Sequence, residues 1–183
     1  MHYCVYVFVP NDGDIEQLVD RALAPYSEDL QVPVYKIRLD PGEIKAMATH
    51  YGLKPNQLNA LAEHMKAWRS CDGGVDEKGL FALARWNPEG KWDWYKIGGR
   101  WRGRLRGNAV LASTLLASTK LKVLLPFAML TPDGCWHDRE TVITEGWMKW
   151  HVRSIKPSQW LRIVRIALQM NPDCRVVCVD IHR

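Results

Sequence analysis

Apolar positions recur along this chain in two rhythms, one close to continuous and one helical. Tyr3 to Val9 is an apolar run rich in valine and aromatic residues, closed by Pro10-Asn11-Asp12-Gly13, which predicts a buried strand and a turn. From Ile15 the period changes: Ile15, Leu18, Val19, Ala22 and Leu23 fall on one helical stripe after the capping residue Asp14, and Pro25 ends it. Pro33 to Leu39 predicts a second strand, so the chain opens as β-α-β. Toward the other end, Leu124 to Leu130 predicts a strand turned by Thr131-Pro132-Asp133-Gly134. A helix over Pro157 to Met170 then carries Trp160, Leu161, Val164, Ala167 and Leu168 on one face, and Asn171-Pro172-Asp173 stops it before a strand from Arg175 to Ile181. Two such halves predict an α+β fold with a ferredoxin-like βαβ…βαβ core, its sheet antiparallel or mixed.

The middle carries different patterns. Ile44, Met47, Ala48 and Tyr51, stopped by Gly52, and Leu58, Leu61, Ala62 and Met65, started near Pro55, predict a helical hairpin over 43–67. A loop through Cys71-Asp72-Gly73-Gly74 leads into a strand from Gly79 to Trp86. Gly98-Gly99 predicts a bend between strands Trp92 to Ile97 and Arg100 to Leu105. The small polar residues of 107–119 read as a mobile connection. The expected organisation is one α+β domain over 1–183, with 42–123 as an inserted subdomain holding the helical hairpin and a Trp/Arg-rich β segment, 79–106. Ala48, Gly52, Leu58 and Leu61 also match helix-turn-helix spacing, but few cations accompany them. Phosphate binding needs cations, so duplex DNA is not an expected partner.

Composition narrows the class. With 183 residues, 47% hydrophobic and 25% charged, the chain is long and apolar enough for a globular core. A net charge of +5 permits an anionic partner only where the cations cluster. Five cysteines, no signal-type leader and no apolar run long enough for a bilayer predict a cytoplasmic protein without a membrane partner.

The cations do cluster. Trp86, Trp92, Trp94 and Trp101 share one stretch with Lys96, Arg100, Arg102, Arg104 and Arg106. Strand alternation would place Trp92, Trp94 and Lys96 on one face and all four arginines in a row. Indole planes beside guanidinium forks can stack on a base and grip phosphate. The candidate ligand-binding set is therefore Trp92, Trp94, Lys96, Gly98, Gly99, Arg100, Trp101 and Arg102, with Asp76 beside its own glycine pair. The plainer reading makes the tryptophans core and the arginines a solvated face. A separate catalytic candidate is His137, Asp180 and His182, types that can hold a divalent metal for phosphodiester hydrolysis as a phosphodiesterase or nuclease. Cys174, Cys178 and His182 are spaced by four, but on a strand they would span about 26 Å and cannot share one ion. No phosphate loop, dinucleotide fingerprint or serine elbow is present, and no cofactor is expected.

Blocks across nearly the whole chain carry a resemblance. Leu23-Ala24-Pro25-Tyr26, Gly73-Gly74-Val75-Asp76, Lys91-Trp92-Asp93-Trp94-Tyr95, Ile97-Gly98-Gly99-Arg100-Trp101, Thr131-Pro132-Asp133-Gly134 with Trp136-His137, and Val179-Asp180-Ile181-His182 resemble an uncharacterised family of bacteriophage and prophage proteins. The resemblance implies a phage-type accessory protein acting in the cytoplasm of a bacterial host cell. Combined with the tryptophan and arginine block, the expectation is nucleotide binding. The ligand would be nucleotide-like or phosphate-bearing, and its capture would sequester a host defence signal, a counter-defence role. The alternatives are the metal-dependent phosphodiesterase and an inhibitor that binds a host defence protein through the same side chains. A homo-oligomer stays open.

Overall fold

The computed structural model describes residues 1–69, 72–144 and 150–183. In chain order the elements are β1 (His2–Val9), α1 (Ile15–Leu23), β2 (Tyr35–Arg38), α2 (Pro41–His50), α3 (Leu58–Arg69), β3 (Gly73–Asp76) and β4 (Gly79–Ala84). There follow β5 (Trp94–Ile97), β6 (Ala109–Leu111), α4 (Ala112–Leu116), β7 (Ala128–Leu130), β8 (Trp136–Asp138), β9 (Glu140–Thr144), β10 (Trp150–Ser154), α5 (Pro157–Met170) and β11 (Arg175–His182). The fold is α+β. Its chain divides into two compact units, Met1–Leu30 with Asn87–Thr141 and Arg153–Arg183, and Gln31–Trp86 with Val142–Val152. The segment read as a 42–123 insertion is thus shared out: the tryptophan and arginine block belongs to the first unit, the helical hairpin to the second.

The first unit is a sheet in the order β5-β11-β1-β7-β8, with β6 also on β11. Strands β1 and β11 run antiparallel in a full ladder from His2↔His182 to Val9↔Arg175. Successive side chains of β1 point to opposite faces, and both faces are covered. Cys4, Tyr6 and Phe8 pack with Trp160, Val164 and Leu168 of α5, while Val5, Val7 and Val9 pack with Val19 and Leu23 of α1. This double burial is why the strand reads as a continuous apolar run. Asp14 caps α1 by accepting from the Gln17 amide at 2.9 Å. Trp160, 1% exposed, anchors α5 with its indole N–H on the Pro126 carbonyl at 2.7 Å.

Two expectations change here, and a third is met in its coarser form. The sheet is mixed, one of the two arrangements expected: β1 and β7 run parallel, while β1–β11, β11–β5, β11–β6 and β7–β8 are antiparallel. Helices α1 and α5 cover its opposite faces, which leaves the α+β class shown and the ferredoxin-like core not established. β2 leaves β1 altogether and pairs with β4, so the opening is not a β-α-β unit of one sheet. The 107–119 segment is built in: β6 pairs with β11, and Ala112 and Leu115 of α4 are buried. Its small residues let the backbone lie close on the core, a role that resembles loop composition in the sequence.

The second unit holds the sheet β2-β4-β3 and the helices α2 and α3. Leu39, Met47, Ala48, Leu61, Met65 and Leu80 form its core, matching the helical stripes. Asp40 and Glu43 cap α2 reciprocally. Gly73 and Gly74 form part of a strand rather than a loop, and Ser70 and Cys71 lie outside the described residues. Strands β9 and β10 pair as a two-stranded ribbon. Among the described residues, no helix is long and apolar enough to cross a membrane.

Candidate functional site

The diglycine bend does let the backbone approach another group closely, and that group is Asp180. Gly99 has φ +43°, and Gly98 has φ +74°. The chain therefore turns over the end of β11 as a single 3-10 turn, Gly99–Trp101, where the sequence predicted a strand from Arg100. The turn presents the Arg100 amide to Asp180 at 2.8 Å. Asp180 is 1% exposed. A buried carboxylate is costly unless hydrogen-bonded, and its second oxygen meets His2 Nδ1 at 2.9 Å.

The tryptophan and arginine block separates in space. Trp92 precedes β5, packs beside Tyr95 on the α1 face, and donates its indole N–H to the Leu23 carbonyl at 3.0 Å. Trp94 and Lys96 lie on the opposite face of β5, in register with His182 and Asp180. Trp94 is 46% exposed. Arg100, Arg102 and Arg106 point to solvent, as does Lys96, while Trp101 and Arg104 turn inward against the α5 face. The expected row of four arginines does not form, because the 3-10 turn breaks the strand alternation. Asp76 belongs to the second unit, where Lys36 holds it at 2.8 Å and Arg38 at 2.7 Å.

Trp101 and Arg104 wall a pocket of about 200 Å³, together with His2, Cys4, Leu125 and Arg139. Arg104 is oriented by the carbonyls of Val123 and Leu125, at 3.2 and 2.8 Å, and its guanidinium lies 5.5 Å from the Trp101 ring centre. Three residues of this wall carry an N–H donor that is buried without an acceptor among the described residues: Trp101 Nε1, Arg104 Nε and Arg139 Nε. An unpaired buried donor costs on the order of 1–3 kcal/mol. All three belong to residues of one pocket, and two of them are guanidinium groups. Beneath it, Cys4 and Cys178 bring their sulfurs to 3.7 Å, and that contact and burial hold the Cys4 thiol neutral by pushing its pKa up.

The three catalytic candidates do not converge. His137 sits on β8, bonded to Thr131 Oγ1 at 3.2 Å, three strand spacings or roughly 14 Å from β11. Among the described residues no three His, Cys, Asp or Glu side chains group as metal ligands. In place of that set, the end of the sheet carries two aspartate–histidine pairs. His182 Nδ1 lies 2.8 Å from Asp93, His2 Nδ1 is held by Asp180, and the two imidazole rings are 5.0 Å apart across the strand pair. Trp94 closes the group, 5.9 Å from His2 edge to face.

Sequence reading missed His2, Asp93 and Arg139, and placed Arg104 only as one of the cation row. His2 becomes visible only once β1 is known to lie beside β11, and Asp93 only once β5 is. Comparison with known protein families, characterised proteins and solved structures finds no match to this chain.

Proposed function

We propose that this chain captures a small phosphate-bearing ligand of nucleotide type, its anionic group on Arg104, Arg139 and the Trp101 indole N–H. The single observation that carries the reading is that three residues of one pocket wall each hold a buried donor with no partner among the described residues. Guanidinium forks match phosphate geometry, and an oxyanion would answer donors that have no protein acceptor. A volume of about 200 Å³ is below the usual range for a whole drug-sized ligand. The pocket therefore takes a phosphate and its immediate substituent, and the flat remainder lies outward toward the exposed Trp94 ring. In a phage-type accessory protein of a bacterial host cell, such capture removes a nucleotide-type defence signal from circulation.

The test is calorimetric titration with inorganic phosphate, AMP and cyclic mononucleotides. Saturable binding that phosphate competes away, and that Arg139→Gln weakens at least tenfold, supports the reading. Equal affinity in wild type and Arg139→Gln, or no saturable binding, overturns it.

A further inference from the structure

We infer that His2 and His182 form a metal-independent acid–base pair that cleaves a phosphodiester, an inference that rests on the binding reading of the adjacent pocket. The two residues face each other across the β1–β11 ladder, the rings 5.0 Å apart and inclined at 63°. Each has a carboxylate on Nδ1: Asp180 for His2 at 2.9 Å, Asp93 for His182 at 2.8 Å. A carboxylate on Nδ1 fixes the tautomer that carries its hydrogen there and leaves Nε2 free to exchange a proton. The Asp180 side is rigid, since that carboxylate is buried and also bonded to the Arg100 amide. His2 also lines the pocket that holds the unpartnered arginine donors, so an imidazole borders the place where a phosphate would sit. The charged groups around the pair are Asp93, Asp180, Lys96, Arg104, Arg139 and the Met1 amino group.

The step balances without a co-reactant beyond water. Water oxygen bonds to phosphorus as His2 Nε2 takes a water proton. The bond from phosphorus to the leaving oxygen breaks with its electron pair, and that oxygen takes a proton from His182. The products are a phosphomonoester and an alcohol, and solvent exchange resets the two imidazoles. Arg104 and Arg139 offset charge developing on the phosphoryl oxygens. His2 and His182 are the catalytic residues; Asp180 and Asp93 are positioning residues.

The experiment uses the full chain with bis(4-nitrophenyl) phosphate and 2′,3′-cyclic AMP as probes, with EDTA present throughout. The expected result is release of nitrophenolate and ring-opened nucleotide, with a bell-shaped pH profile. His2→Ala and His182→Ala each lower kcat at least a hundredfold, as removal of a general acid or base does, while binding of inorganic phosphate persists. Added imidazole restores part of the His2→Ala rate, and Asp93→Asn, altered at an exposed carboxylate, shifts one limb of the pH profile. Phosphate binding without any turnover overturns the acid–base pair and leaves the capture reading intact. Turnover that EDTA abolishes, or that survives both histidine substitutions, also overturns it. Loss of phosphate binding in the wild type sinks both.

Discussion

Gly99 and Asp180 compete for one volume: a Cβ built on Gly99 would lie 2.4 Å from the Asp180 Cβ. The backbone there also has φ +43°, a conformation that costs most residues about 1–2 kcal/mol. Gly99→Ala must therefore displace the buried carboxylate from the Arg100 amide as well as strain the turn. Urea unfolding is expected to report a loss of about 2.5–5 kcal/mol, the strain plus a hydrogen bond to a charged group. Gly103→Ala is the control, with φ +81° and nothing within 4 Å of its added methyl, and it should lose only the backbone strain, about 1–2 kcal/mol. Equal losses would refute the steric origin.

Removing an unpartnered donor should separate stability from binding. Arg139→Gln and Trp101→Phe each delete a buried N–H that has no acceptor. Without ligand, Arg139→Gln is expected to unfold at the same or a higher urea midpoint, because a buried donor with no acceptor among the described residues is gone. With phosphate, its affinity is expected to fall roughly ten- to a hundredfold, matching one charge-assisted hydrogen bond. Arg104→Lys should lose both, since Arg104 also ties down the carbonyls of Val123 and Leu125.

Acid should loosen the sheet of the second unit through Asp76. Hydrogen bonds from Arg38 and Lys36 hold its carboxyl far below the usual aspartate range. A group with a depressed folded-state pKa contributes stability above its unfolded value near 4, lost as pH falls toward the folded value. Amide exchange in β3 and β4 is therefore expected to speed up below about pH 4. In Asp76→Asn the exchange rates at neutral pH should already be raised and their acid dependence flattened. An unchanged acid dependence would remove Asp76 as the cause.

Thiol chemistry gives a fourth check. Cys135 is exposed, yet the hydrogen bond and charge of Asp133 raise its thiol pKa. Less thiolate at a given pH means slower alkylation. Peptide mapping after iodoacetamide at pH 7.5 should show slow modification of Cys135 that Asp133→Asn accelerates, with Cys4 and Cys178, both buried, untouched in either protein.

Much of the fold was legible because its signals are local. The helical stripe from Pro157, the Asp14 cap and the apolar run of β1 each depend on neighbours within one turn or one strand. What was not legible depends on which strands meet. The alternation rule sorted Trp94 and Lys96 correctly onto one face but carried Trp92 along, because β5 starts only at Trp94. The diglycine bend was legible, but only the β11 partner of β5 identifies Asp180 as the group its backbone approaches. His2 stands just before the run Tyr3 to Val9 that predicted a strand, and its chemistry rests on a register that no local pattern encodes.

That register has a consequence for biosynthesis. The ladder joining Val9 with Arg175 and His2 with His182 can close only after almost every intervening residue has been translated. Contacts so distant along the polymer are slow to find one another, because a large loop must be gathered first. β1 therefore leaves the ribosome with two greasy sides and no mate, and a fragment cut short before β11 would lack half of every histidine–carboxylate couple described above.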